Sequence, residues 1–177
     1  MKKHHAGIGI VLGGFLVLTL NAQDTASARK HPAVVVGTFD SRAVLMAYVG
    51  SDAFKDSMEE LYADLARAKA AGDEKRIAEL EAFGPELQQR IHRQGFGTAP
   101  VDDIIARIAD ELPAIAAEAG VEVIVSKWAL AYRGPTAQFV DVTDLLTAEF
   151  DPSAETLQGI REIVAQEPVP LDQLGDH

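Results

Sequence analysis

The chain has 177 residues, no cysteine, and 27 acidic against 16 basic side chains, a formal net charge of -11. Without cysteine it has no disulfide framework, thiol nucleophile or cysteine-linked lipid anchor. Its acidic excess argues against nucleic acid or an anionic membrane as main partner, since both demand concentrated positive charge. The length suits one domain with appendages, and a hydrophobic content of 47% is enough for a packed core.

Lys2 and Lys3 precede an apolar run from Ala6 to Leu20, followed by small-residue exits at Ala22 and at Ala26-Ser27-Ala28. This is the layout of a secretory signal peptide, residues 1–28, cleaved after Ala22 or Ala28. A membrane span needs about 20 apolar residues, so export to a periplasm with removal of the signal is expected, and no stable membrane insertion afterwards. Cleavage takes away Lys2 and Lys3 and leaves the remainder still more acidic.

After a lead-in at 29–32, Ala33–Phe39 holds three consecutive valines, the composition of a buried strand. Asp40 or Ser41 can cap a short helix over 42–49, which Gly50 ends. The string Gly37-Thr-Phe-Asp40 resembles a strand end of pantetheine-type nucleotidyltransferases. Those enzymes also need a nearby histidine motif, and the nearest downstream histidine is His92.

Ser51 caps the next predicted helix. Phe54, Met58, Leu61, Leu65 and Ala68 recur at coiled-coil spacing, Gly72-Asp73 breaks the run, and Ile77, Leu80, Gly84, Leu87 and Ile91 resume it. Two such seams around a glycine turn predict an antiparallel helical hairpin, an arm over about residues 52–93. Gly84-Pro85 should kink or interrupt the second helix, because proline removes a donor and crowds the preceding turn. Gln94 to Pro100 has the composition of a loop.

A helix with a possible bend at Pro113 is then expected from Asp102 to Ala119, closed by Gly120. Val121–Ser126 alternates as a strand, and Ala129–Tyr132 as a second strand paired to it in a hairpin. Gly134-Pro135 is a turn signal. Asp141 opens a helix through Leu145, Leu146 and Phe150. Ser153 caps a segment over 154–164, and the proline-bearing acidic tail beyond it is expected to be mobile. The fold class predicted is α+β: a small body of three short strands, from residues 33–50 and 102–150, with a protruding hairpin arm, and a short helix and tail over 151–177.

Catalytic chemistry finds little purchase in this pattern. The five histidines, His4, His5, His31, His92 and His177, make no metal-ligand spacing and pair with no nucleophile. Asp102-Asp103, Asp110-Glu111 and Asp141/Asp144 sit at helix starts or on polar helix faces, where carboxylates favour the helix dipole or stay solvated. Ser41, Ser51, Ser57 and Ser126 lack a nucleophile-elbow context. No catalytic, cofactor-binding or metal residue is assigned, and no cofactor is expected. The arm is more informative: two helices alone cannot bury all its apolar side chains. Met58, Tyr62, Phe83 and Phe96 are therefore the candidates for contact with a client or partner. Phe54, Leu61, Leu65, Ile77, Leu80, Leu87 and Ile91 form the arm seam. Val34, Val36, Val123, Val125, Leu130 and Tyr132 are assigned to the body through which copies would associate.

The order of elements is similar to that of the Skp (OmpH-like) periplasmic chaperones. The stretches that carry the resemblance are Ile104 to Glu118, Gly120-Val-Glu-Val-Ile-Val-Ser126, Ala129-Leu-Ala-Tyr132 and Asp141-Val-Thr-Asp-Leu-Leu146. Val34 to Phe39 fits the first strand and Ala68-Lys69-Ala-Ala-Gly72-Asp73 the hairpin tip, so the likeness covers roughly residues 33–150. It implies a homotrimer whose joined sheets carry the arms around a cavity for unfolded outer-membrane and envelope proteins, held without ATP or catalysis. The arms here are shorter and the charge acidic, where the best-known members are basic, so no lipopolysaccharide site is carried over. The alternative is a non-catalytic structural or adaptor protein of the envelope that shows its arms to one folded partner.

Overall fold

A computed structural model describes residues 34–174; the signal segment and its cleavage sites lie outside them. Strand β1 (Val35–Phe39) occupies the centre of a three-stranded sheet, between β2 (Val123–Ser126) and β3 (Gln138–Asp141). Both pairings are parallel, with Gly37 opposite Ile124 on one side and Val140 on the other. The expected hairpin of Val121–Ser126 with Ala129–Tyr132 is therefore corrected. Lys127–Ala129 is a 3₁₀ turn, Leu130 and Tyr132 lie outside the sheet, and the third strand is Gln138–Asp141.

The physical reason sits at the end of β2. Ser126 accepts a hydrogen bond from Trp128 N at 3.3 Å, which starts the turn. The Lys127 ammonium then reaches the Asp40 carboxylate at 2.7 Å, and both it and Arg42 lie over the Trp128 ring. These contacts draw the chain away from a β2 hairpin and leave the far edge of β1 free for β3.

Helix α1 (Ser41–Val49) is the hub of the core. Seven of its nine residues are buried, as expected of a helix apolar on nearly every side. The Asp40 side chain caps it, accepting from Arg42 N at 3.0 Å. Val44, Leu45 and Ala47 pack among Ile104, Val142 and Leu146. Register places Gly37, Ile124 and Val140 toward this core, and Val36, Val123 and Phe139 on the opposite face. Gly37 is needed there: an added Cβ would lie 3.1–3.3 Å from Val121, Val142 and Ile124.

Helices α2 (Asp52–Ala71) and α3 (Glu74–Gly95) follow, joined at Gly72-Asp73. Ser51 caps α2 through Phe54 N, and Asp73 caps α3 through Arg76 N at 3.0 Å. Gly72, at φ 66°, ends α2 with the Asp73 N–H donating to Ala68 O at 3.0 Å, a Schellman closure. Ion pairs Arg76–Asp64 (2.6 Å) and Lys69–Glu81 (2.9 Å) tie the two helices near the turn. The interruption expected at Gly84-Pro85 is absent: α3 runs through Pro85 to Gly95. Both residues are exposed, so water can serve the carbonyl that proline leaves without its donor.

The single helix expected over 102–119 is divided. Helix α4 (Asp102–Ile105) passes into a 3₁₀ turn at Ala106–Ile108, and α5 (Leu112–Ala119) starts afresh with Pro113 in its first turn, where the missing donor costs nothing. Helix α6 is Thr143–Ala148, with Asp141 accepting from Thr143 N at 2.9 Å. Helix α7 (Ala154–Val164) is capped by Ser153 and lays Ile160 into the core beside α1. The described part of the tail lies against the body: Val169 N donates to Phe96 O at 2.8 Å, and Leu171 and Leu174 pack on Gly97.

Candidate functional site

The site is a groove of about 410 Å³ between α2 and α3, closed at one end by the body. The α2 wall carries Phe54, Met58 and Leu61, and the α3 wall Leu80, Phe83, Leu87 and Ile91. All but Phe83, a contact candidate, are positions of the coiled-coil spacing. Ala68 and Leu80, near the turn, are buried, whereas Phe54, Met58, Leu61, Leu65, Ile77, Leu87 and Ile91 stay half-buried. The two stripes thus cover each other near the tip and leave apolar surface facing a channel further down.

The base of the groove comes from other segments. Leu45 and Tyr48 of α1 and Ile104 of α4 form its floor. Tyr48 is packed edge-on by Phe54 and by Phe150, with ring centroids 5.3 and 5.8 Å away. The rim is charged, with Arg67, Arg76, Arg90 and Arg107 interleaved with Glu60, Asp64 and Asp103. Asp64 is held below its ordinary carboxyl range, first by the hydrogen bond from Arg76 and further by the charges of Arg76 and Arg67.

Of the four contact candidates, Met58 and Phe83 line the groove, and Phe83 is 38% exposed. Tyr62 does not line it and is 64% exposed, one position past Leu61 and off the seam. Phe96 stands at the far end of α3, edge-on to His92, with its carbonyl taken by the tail. Of the body candidates, Val36, Val123 and Val125 are in the sheet. Val123 is 47% exposed and Val34, just before β1, is exposed too. Leu130 is half-buried and Tyr132 largely exposed, both in the connection between β2 and β3.

Sequence reasoning missed two features. Arg107 and Tyr48 belong to the groove, but their only sequence signal is helical spacing in separate segments. Asp40 is not only a helix cap but also the centre of a buried charge cluster. Arg42 Nε and Nη2 donate to its two oxygens at 3.1 and 2.8 Å, Lys127 meets it at 2.7 Å, and Arg42 Nη1 donates to Gln166 O at 2.8 Å. Burial would raise the Asp40 carboxyl, but the hydrogen bonds from Arg42 and Lys127 outweigh it and hold the group below its ordinary range. One carboxylate thus faces two cations, Arg42 buried and Lys127 partly exposed, and with the Gln166 carbonyl it fastens the ends of β1 and β2, the start of α1 and the tail together.

Among the described residues no group of three or more His, Asp or Glu is placed to hold a metal ion, and no helix is long and apolar enough to cross a membrane. No protein-family model, no curated protein and no solved structure matches the chain.

Proposed function

We propose that the protein is a periplasmic, ATP-independent holdase that binds unfolded outer-membrane and other envelope proteins, with α2 and α3 acting as a Skp-like antiparallel coiled-coil arm. The observation that carries this reading is the groove itself: half-exposed Phe, Met and Leu side chains facing a channel between two helices. A channel of this volume with apolar walls and a charged rim falls in the range of ligand pockets, and methionine with aromatics gives soft, adaptable walls. Contacts of this kind are weak singly. Carried on several arms, they lower the free concentration of aggregation-prone chain by mass action.

Self-association as a homotrimer completes the proposal. All-parallel sheets ordinarily have both faces covered. Here one face carries helices while Val36, Val123 and Phe139 lie on the other, and among the described residues no strand pairs with the outer edges of β2 and β3. An apolar face with free edges gains from pairing with another copy.

The test is dilution of a urea-unfolded outer-membrane β-barrel protein into buffer with and without the chain lacking residues 1–28, followed by light scattering. Suppression at near-stoichiometric trimer without nucleotide supports the reading. A folded, oligomeric protein that leaves scattering unchanged overturns it in favour of an adaptor with one folded partner.

A further inference from the structure

The groove is charged unevenly along its length, and this asymmetry bears on what it holds. At the end nearest the turn, Asp64 meets both Arg67 (3.3 Å) and Arg76 (2.6 Å), and Arg76 also meets Glu79 at 3.1 Å. At the base, Asp103 accepts from Gln94 Nε2 at 2.9 Å and lies 3.8 Å from Arg90. Arg107 lines the same base and makes no ion pair among the described residues; its guanidinium rests 4.7 Å over the Tyr48 ring. The base therefore has one positive charge in excess of its carboxylates, above a floor of packed rings.

We infer that this groove takes an apolar peptide segment bearing a carboxylate at one end, and that Arg107 anchors the carboxylate at the base. The inference rests on the client-binding reading and adds the direction in which a client segment lies. A guanidinium offers donors in a planar fork that matches a carboxylate, and stacking on Tyr48 presets its plane. A carboxylate placed toward the turn would instead meet Glu60 and Asp64 beside Arg67 and Arg76, both of which are already paired with Asp64. Residues 54–67 of α2 line the channel, a length of about 20 Å at the helical rise, room for about six extended residues. Ser57 and Glu60 among the apolar positions can serve a peptide backbone, whereas a lipid chain would only have to desolvate them.

Fluorescence anisotropy with the trimer decides it, using one labelled six-residue apolar peptide made with a free C-terminal carboxylate and again as the amide. The acid should bind about three- to tenfold more tightly at low salt, the range of one exposed to partly desolvated charge pair. The gap should close in Arg107→Gln and persist in part in Arg107→Lys, with the amide unchanged in all three proteins. Arg107 is exposed, so both variants should keep the parent's far-UV circular dichroism. Equal binding of acid and amide, or a gap that survives Arg107→Gln, overturns the anchor and leaves the holdase reading standing. If neither peptide binds while scattering is still suppressed, clients are held elsewhere and the groove assignment falls. If palmitate binds and neither peptide does, the occupant is a lipid and the inference is wrong.

Discussion

Replacing Asp40 by Asn removes one negative charge from between two cations while leaving the shape of the side chain and an oxygen for the helix cap. Asp40 and Arg42 are 2% and 1% exposed, and the guanidinium meets both carboxylate oxygens. Removing one partner of such a buried pair costs about 3–5 kcal/mol, because the other charge is left without compensation. Lys127, at 36% exposure, can turn toward water, but Arg42 cannot, so the cost falls mainly on Arg42. Asn caps a helix nearly as well as Asp, so Asp40→Ala should cost about 1 kcal/mol more than Asp40→Asn. For a body of this size, 3 kcal/mol lowers Tm by about 10 °C. The assay is thermal melting by circular dichroism at pH 7, with guanidinium titration beside it. Adding Arg42→Met to Asp40→Asn should recover much of the loss. If Asp40→Asn melts within about 2 °C of the parent, the cluster is not a buried pair and the reasoning fails. The pH dependence has a definite sign. The carboxyl is lowered in the folded protein, so its contribution is present above the ordinary aspartate pKa of about 3.9 and is lost as pH falls through the lower folded value. The parent's advantage over Asp40→Asn should narrow below about pH 4, as guanidinium titrations across pH would reveal.

Gly97→Ala puts a Cβ 2.7 Å from Arg93 O and 2.6 and 2.8 Å from Leu171 and Leu174. The leucines can swing aside but the carbonyl cannot, so a loss of about 1–3 kcal/mol is expected, with faster hydrogen exchange at the Val169 amide. Val123→Asp changes an exposed strand residue on the open sheet face. If copies join through this face as proposed, it should shift sedimentation velocity toward the monomer and lower the melt only by the lost association, with far-UV circular dichroism unchanged; an unchanged sedimentation profile would show that this face joins no copies.

Legibility in the sequence followed how local each determinant was. The valine run of β1, the caps Asp40, Ser51 and Ser153, and the Gly72 terminus each act within a few residues, and the elements they bound appear where expected. β3 was not legible: its four residues carry only Phe139 and Val140 as apolar signal, and what makes them a strand is pairing with β1 a hundred residues away. Ala129–Tyr132 failed for the converse reason, an alternation that looks local but is overruled by Lys127 reaching Asp40. The groove was half legible. Heptad spacing selected Phe54, Met58, Leu61 and Leu87, whereas the floor of Leu45, Tyr48 and Ile104 exists only once α1 and α4 are packed. Tyr62 lies one position off the α2 stripe and Phe96 just past the end of α3, so heptad spacing does not bring them to the groove.

Photo-crosslinking from single positions distinguishes a client seated in the groove from one held elsewhere on the arm. A photoreactive residue placed at Phe83, on the groove wall, or at Tyr62, off it, would be irradiated with an unfolded β-barrel client and then with the same client folded. Binding in the groove predicts strong crosslinks from position 83 to the unfolded client, weak ones from position 62, and none from either to the folded protein. Equal crosslinking from both positions, or capture of the folded client, would contradict it.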